Sequence, residues 1–277
     1  SFTFGAPLLP SLAPEPGTAP GPSLRELCYA ELPGKYDCKG LAAARSQLDR
    51  ELQVIHESGF DDYFVYVNEI IRYAHHRNIP VQVRGSAGSS IVSYLLGFSS
   101  CYPLDHDLFF ERFMNPGRKD CPDIDIDIAD NRRDEVINYC YDRWGGSHVA
   151  MIATVQTYRT RSAVYDAGRI LKLPPKQVQQ FLDEHCEIPQ KTQLLSIAGC
   201  LAGLPRHLGI HCGGLVITPC PLTDITPLTR ATKGVIITHY EKDQAEAIGL
   251  VKMDLLGNSG LSLLNESRQW LTHRGVT

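Results

Sequence analysis

Three aspartates alternate with isoleucines in Pro122-Asp123-Ile124-Asp125-Ile126-Asp127-Ile128. A strand has a period of two, so the isoleucines face one side and Asp123, Asp125 and Asp127 the other. The isoleucine side reads as core. The aspartate side carries like charges at i, i+2 on a residue type that forms strands poorly. A divalent cation would offset that cost, because two residues of strand rise about 6.6 Å and let neighbouring carboxylates flank one or two ions. Two-metal phosphoryl-transfer centres hold their ions about 3.5–4 Å apart, within reach of such a pair. The competing explanation is a solvated acidic edge strand, where charge discourages edge-to-edge pairing.

A second stretch repeats the puzzle. In Gly249-Leu250-Val251-Lys252-Met253-Asp254-Leu255-Leu256-Gly257, extended backbone puts Lys252 and Asp254 on one face. They read either as an ion pair or as a further carboxylate with a phosphate-binding lysine beside it. A third stretch, Arg84-Gly85-Ser86-Ala87-Gly88-Ser89-Ser90, lies between an expected strand at 80–83 and a helix at 91–96. Small residues ahead of a helix N-terminus can cradle a phosphate or can simply make a tight turn. The loop fits neither a Walker A nor a dinucleotide fingerprint. His207 and His211 are spaced i, i+4, which suits metal ligation if both lie on one helix. Gly209 lies between them and no Glu follows His207, so a structural or phosphate-contacting role is the favoured expectation.

The elements that must position these residues follow from hydrophobic spacing. Helices are expected at 41–58, 62–77, 91–96, 107–114, 132–143, 159–171, 176–184, 193–202 and 259–274. Strands are expected at 80–83, 123–128, 149–154, 215–218, 235–239 and 249–257. Asp130-Asn131 is expected to cap the helix at 132. Residues 1–23 contain six prolines and read as a linker-like arm. The chain starts with Ser, so it is expected to be a piece of something longer.

The 277 residues are 43% hydrophobic with formal charge −4, enough for a real core and the wrong sign for gripping nucleic acid by bulk charge alone. Any such grip needs a local basic face, or acidic metal-site residues that inflate the negative count. No run of about 18 apolar residues offers a membrane span. Nine cysteines without a CxxC pair read as reduced, mostly buried thiols of an intracellular, cytoplasmic protein.

Taken together, the order of blocks resembles the alpha subunit of bacterial DNA polymerase III, the C-family polymerases and their error-prone relatives. The blocks are Gly-Phe-Asp-Asp-Tyr-Phe (59–64), Arg-Gly-Ser-Ala (84–87), Leu-Phe-Phe-Glu-Arg-Phe-Met-Asn-Pro (108–116), Pro-Asp-Ile-Asp-Ile-Asp (122–127), Arg-Arg-Asp-Glu-Val-Ile (132–137), His-Cys-Gly-Gly-Leu-Val-Ile (211–217) and Gly-Leu-Val-Lys-Met-Asp-Leu-Leu-Gly (249–257). Residues 154–162 and 205–208 look closer to the error-prone branch. The resemblance implies an α/β fold: a polymerase-β-type nucleotidyltransferase palm with a mixed sheet and flanking helices, and a small helical thumb inserted in it. The implied division is palm at 24–154 and 206–277, thumb-like insertion at 155–205. It implies Asp125, Asp127 and Asp254 as catalytic ligands of two Mg²⁺ ions, with Mn²⁺ able to substitute, and leaves Asp123 a structural role. Arg84, Gly85, Ser86, Arg118 and Lys252 are implied as phosphate contacts. Arg159, Arg161 and Arg169 are implied as duplex contacts. The implied partners are a primer–template, a dNTP and other replication or repair proteins.

Departures accompany the match. Val83 stands where a glycine usually precedes the loop arginine, and the loop reads Ala-Gly-Ser-Ser where Ala-Ala-Gly-Ser is typical. Family members also carry a PHP domain, long fingers after the third aspartate, a clamp-binding segment and an OB-fold. Without fingers, templated synthesis is expected to be inefficient. A nucleotidyltransferase with another acceptor, or a non-catalytic DNA- or partner-binding module of the same fold, stays open. Clustered carboxylates repel, so removing one is expected to raise metal-free stability.

Overall fold

The isoleucines of the acidic stretch are where the core begins. Ile124, Ile126 and Ile128 are all fully buried, each contributing about 1.5–3 kcal/mol of apolar transfer. The computed structural model describes residues 7–9, 21–37, 40–115, 121–184 and 186–275. The expected arm at 1–23 lies mostly outside them. Of its described part, Leu8 donates its N–H to the Gly249 carbonyl at 2.7 Å and pairs as a single bridge with Leu250.

The helices and strands run α1 (Leu24–Lys35), α2 (Leu41–Glu57), α3 (Asp61–His76), β1 (Val81–Arg84), α4 (Ile91–Leu95), β2 (Asp125–Ala129), α5 (Arg133–Trp144) and β3 (Val149–Thr157). They continue through α6 (Thr160–Ile170), α7 (Pro175–Glu184), α8 (Lys191–Leu201), β4 (Pro205–Ile217), β5 (Leu228–Arg230), β6 (Ile236–Thr238), α9 (Lys242–Ala247), β7 (Lys252–Asn258) and α10 (Ser259–His273). Seven strands form one mixed sheet in the order β1-β2-β7-β4-β3-β6-β5. β2 pairs antiparallel with β1 and parallel with β7, and β7 pairs antiparallel with β4. β2 is therefore flanked on both sides, which removes the acidic-edge explanation for its aspartates.

The chain separates into two compact units, residues 1–152 with 211–277, and residues 153–210. In the larger unit, α3 buries Tyr63, Phe64, Val67, Ile70, Ile71 and Ala74, the face its apolar spacing defines. Its first turn carries Asp61 and Asp62 and its last turn His75 and His76, as the helix dipole favours. The smaller unit has its own core, in which Ala163, Val164, Ala167, Val178, Leu194 and Ala198 are buried together.

Four expectations change. Residues 107–114 form no helix beyond a single 3-10 turn at Phe110–Arg112. Asp107 has a positive φ of 47°, and one turn already brings Phe110 and Phe113 into the core. Asp130 and Asn131 do not cap α5, whose N-cap is Arg132 without a side-chain bond. Instead Ser262 of α10 donates to both Asp130 and Asn131. His207 and His211 lie on a strand, β4, so helical metal spacing does not apply. Of the eight cysteines among the described residues only Cys28 and Cys140 are buried, so the thiols are free but not mostly interior.

Helix α1 was not legible from apolar spacing. Its signal is a capping box, with Ser23 and Glu26 each bonding the other's backbone N–H. Pro33 inside the helix masked it.

Candidate metal centre

One rung of the sheet assembles the site. Arg84 of β1 lies opposite Asp125 of β2, Asp125 beside Asp254 of β7, and Asp254 opposite Gly214 of β4. Parallel pairing of β2 with β7 is what brings two carboxylates 129 positions apart in sequence into lateral contact. Asp123 precedes β2 and joins them from the loop. Asp123, Asp125 and Asp254 each offer a carboxylate oxygen, and these oxygens lie within 4.8 Å of one another.

Lys252 Nζ is the nearest cation. It donates to Asp123 Oδ1 at 2.9 Å and to Asp254 Oδ2 at 2.7 Å from a side chain that is 7% exposed. Burial works against its charge, but the two aspartates outweigh that and raise its pKa. The ion pair anticipated at 252 and 254 is thus present. It leaves the other oxygen of Asp254 without a partner. Asp254 Oδ1 is buried and accepts no hydrogen bond among the described residues. His211 Nδ1 stands 3.9 Å away, but it already accepts the N–H groups of Gly213 at 3.2 Å and Gly214 at 2.7 Å. A buried orphan oxygen is costly unless something else satisfies it.

Asp125 carries the electrostatic strain. Burial first, then the charges of Asp123 and Asp254, raise its pKa above 3.8, against the lowering effect of Lys252 and Arg84. Four carboxylates (Asp123, Asp125, Asp127, Asp254) face two cations, Lys252 and Arg84. The excess negative charge and the orphan oxygen are what a hard divalent cation with oxygen ligands would satisfy, so the residues fit such an ion.

Asp127 is held apart from this cluster. Arg84 donates to it through Nε at 3.1 Å and through a terminal nitrogen, and Asn258 Nδ2 donates at 3.1 Å. The three aspartates are therefore not equivalent: Asp125 joins Asp254 and Asp123, while Asp127 joins Arg84. Asn258 was missed by sequence reasoning. Its signal was available, because Asn before Ser-Gly at a helix start is a capping residue. Its Oδ1 accepts from Gly260 and Leu261 at the head of α10. Tyr63 was also missed. It is buried beneath β7, its hydroxyl donating to the Lys252 carbonyl at 3.3 Å.

The expected phosphate loop lies beside the cluster. Gly85 has φ +70°, a backbone state that a side chain would strain. Residues 85–89 wind as a 3-10 turn. Ser86 and Asp123 both line a cleft of about 80 Å³, together with Arg112, Phe113 and Cys121. Burial pushes the Cys121 thiol up to about 12, and the thiol lines the cleft. The N-terminus of α4 is not open to an external phosphate. The Glu51 carboxylate occupies it, accepting from Ile91 N–H at 3.2 Å and Val92 N–H at 3.4 Å.

Arg118 lies outside the described residues. In the smaller unit, Arg161 pairs with Asp183 at 2.9 Å and Arg169 with Asp166 at 3.3 Å. The exposed Arg159 guanidinium has no ion-pair partner among the described residues.

The family model described as the bacterial DNA polymerase III alpha NTPase domain matches residues 22–194 and 177–257. The chain belongs to this family of C-family alpha subunits. An error-prone DNA polymerase of Corynebacterium efficiens is 42% identical over 236 residues, 84% of this chain and 22% of that protein. An error-prone DNA polymerase of Mycobacterium tuberculosis is 39% identical over 286 aligned positions, 98% of this chain and 26% of that protein. DNA polymerase III subunit alpha of Bacillus subtilis is 37% identical over 285, 95% of this chain and 26% of that protein. These similarities favour the error-prone branch of the family. The chain spans about a quarter of the length of these relatives.

Proposed function

We propose that this chain is the catalytic core of a DNA-directed DNA polymerase, joining dNMP units to a primer 3′-hydroxyl. The observation that carries the proposal is the buried Asp254 Oδ1, which accepts no hydrogen bond among the described residues, inside a three-carboxylate cluster. Family membership supplies the reaction class. In this reading the cluster holds Mg²⁺, for which Mn²⁺ can substitute. The bound ions would lower the barrier by activating the attacking hydroxyl and neutralising the triphosphate.

The chain's own groups do the positioning. Asp125 and Asp254 anchor the ions from neighbouring strands, and Asp123 and Lys252 set the charge around them. Asp127 completes the proposed ligand set once Arg84 turns from it toward a nucleotide phosphate. Gly85, Ser86, Lys252 and Arg118 are proposed to receive the triphosphate. Residues 24–154 with 206–277 are read as the palm. Residues 155–205 are read as a thumb-like insertion, presenting Arg159, Arg161 and Arg169 to duplex phosphates; the division of the chain into two compact units near these bounds supports the reading. Positioning and charge neutralisation carry most of the rate in such a transfer. Replication or repair proteins in the cytoplasm are the expected company.

Primer extension tests the proposal directly. With Mg²⁺ or Mn²⁺, the unsubstituted chain should extend a primer, and Asp125→Ala and Asp254→Ala should each abolish it. Extension that survives both substitutions would sink the site assignment. DNA binding without any incorporation would favour a non-catalytic module.

A further inference from the structure

We propose that Glu51 is a positioning residue for the nucleotide-phosphate loop, an inference that rests on the reading of Gly85 and Ser86 given above. Glu51 sits on the otherwise apolar stripe of α2 with Ala44, Leu48, Leu52 and Ile55, and is fully buried with them. An apolar residue there would fill the core without desolvating a carboxylate. The carboxylate is instead surrounded by donors. Ser90 Oγ donates to Oε2 at 2.6 Å, Gln47 Nε2 to Oε1 at 2.8 Å, Ile91 N–H to Oε1 at 3.2 Å and Val92 N–H to Oε2 at 3.4 Å. No basic side chain pairs with it among the described residues; its partners are two backbone N–H groups, a hydroxyl and an amide, and burial raises the pKa of its carboxyl.

Three of those four donors lie in one place, the junction of the small-residue loop with α4. Ser90 already caps that helix by accepting the Ser93 N–H at 3.3 Å, so Glu51 is not needed as the cap. What it adds is a fixed end. The loop then runs between two anchors. Arg84 at one end is held in sheet register opposite Asp125, and Ser90 at the other is held by Glu51. Only five residues separate them, so the span is short enough for both ends to set its path. Glu51 also takes up the Ile91 and Val92 N–H groups, so neither is left to a phosphate. The free donors left to a phosphate are at the head of the turn. The N–H groups of Gly85 and Ser86 donate to no other segment among the described residues. The carboxylate thereby directs a triphosphate toward the end of the loop nearest the aspartates and away from α4.

The test separates nucleotide binding from metal binding in the unsubstituted chain, Glu51→Gln and Ser90→Ala. Mn²⁺ binding alone is followed by electron paramagnetic resonance, and dATP binding at saturating Mn²⁺ by calorimetry. Each substitution should weaken dATP by about tenfold, the scale of one disturbed hydrogen bond. Mn²⁺ affinity should stay unchanged, because the aspartates do not touch Glu51. A folded Glu51→Gln chain with unaltered dATP affinity would overturn the inference. So would a parallel fall in dATP and Mn²⁺ affinity, which marks a general loosening. If Glu51→Gln does not fold, Ser90→Ala decides by the same criteria, since it leaves the carboxylate its other donors. Failure of the unsubstituted chain to bind dATP while binding Mn²⁺ would instead fall on the reading of Gly85 and Ser86.

Discussion

Asp125 and Asp127 look alike in sequence and do opposite things in the metal-free fold. Asp125 is charged against Asp123 and Asp254, whereas Asp127 is neutralised by Arg84 and bonded by Asn258. Asp125→Asn should therefore raise the metal-free melting temperature by about 2–4 °C, the response to roughly 1 kcal/mol in a domain of this size. Asp127→Asn should lower it. Calorimetry in a chelator reads both, and shifts of the same sign would contradict this division. The raised pKa of Asp125 gives the pH sign. Metal-free stability from this group is fully present below pH 3.8 and is lost as pH rises through the raised value. Period-two alternation revealed the three carboxylates. It could not separate them, because only the pairing of β2 with β7 and the placement of Arg84 on β1 distinguish one from the next.

At the scale of elements, amphipathic helices such as α2 and α3 were legible because tertiary packing uses the same stripe that spacing exposes. The segment 107–114 was not, since its aromatics reach the core from a single 3-10 turn. The contacts that join helices were also invisible. Glu135 of α5 is clamped by Arg132 and by Arg77 beyond α3, and these lower its carboxyl to about 2. That stabilisation is present above pH 4.5 and is lost as pH falls toward 2. Glu135→Gln should cost about 1 kcal/mol or less at neutral pH, as partly exposed pairs do. The difference from the unsubstituted chain should close in acid, and a pH-independent difference in melting would count against the clamp. In the smaller unit, a Cβ on Gly168 of α6 would stand 2.5 Å from Val178 Cγ2 of α7. Gly168→Ala gains about 1 kcal/mol of helix propensity but overpacks this contact by about 1–3 kcal/mol. Faster amide exchange in α6 and α7 is the expected outcome, and added protection would contradict it.

For the molecule as a whole, a net charge of −4 is misleading about nucleic acid, because part of the negative charge is gathered at one carboxylate cluster. Within 153–210, Arg161 and Arg169 are engaged by aspartates, whereas Arg159 has no acidic partner among the described residues. Arg159→Ala should thus weaken duplex binding more than Arg169→Ala and reduce the salt slope by about one unit. Equal losses would show that the ion pairs do not tie those arginines down. The family was legible from seven ordered blocks, and Asn258 carried a legible capping signal, whereas the contacts of Glu51 and Tyr63 became visible only once the chain was folded around them. The most direct test of the centre is a Mn²⁺ titration of the chain and of Asp254→Asn, without DNA or nucleotide. Saturable binding that the substitution removes is expected. A chain that binds no Mn²⁺, or binds it equally well without the Asp254 carboxylate, would contradict it.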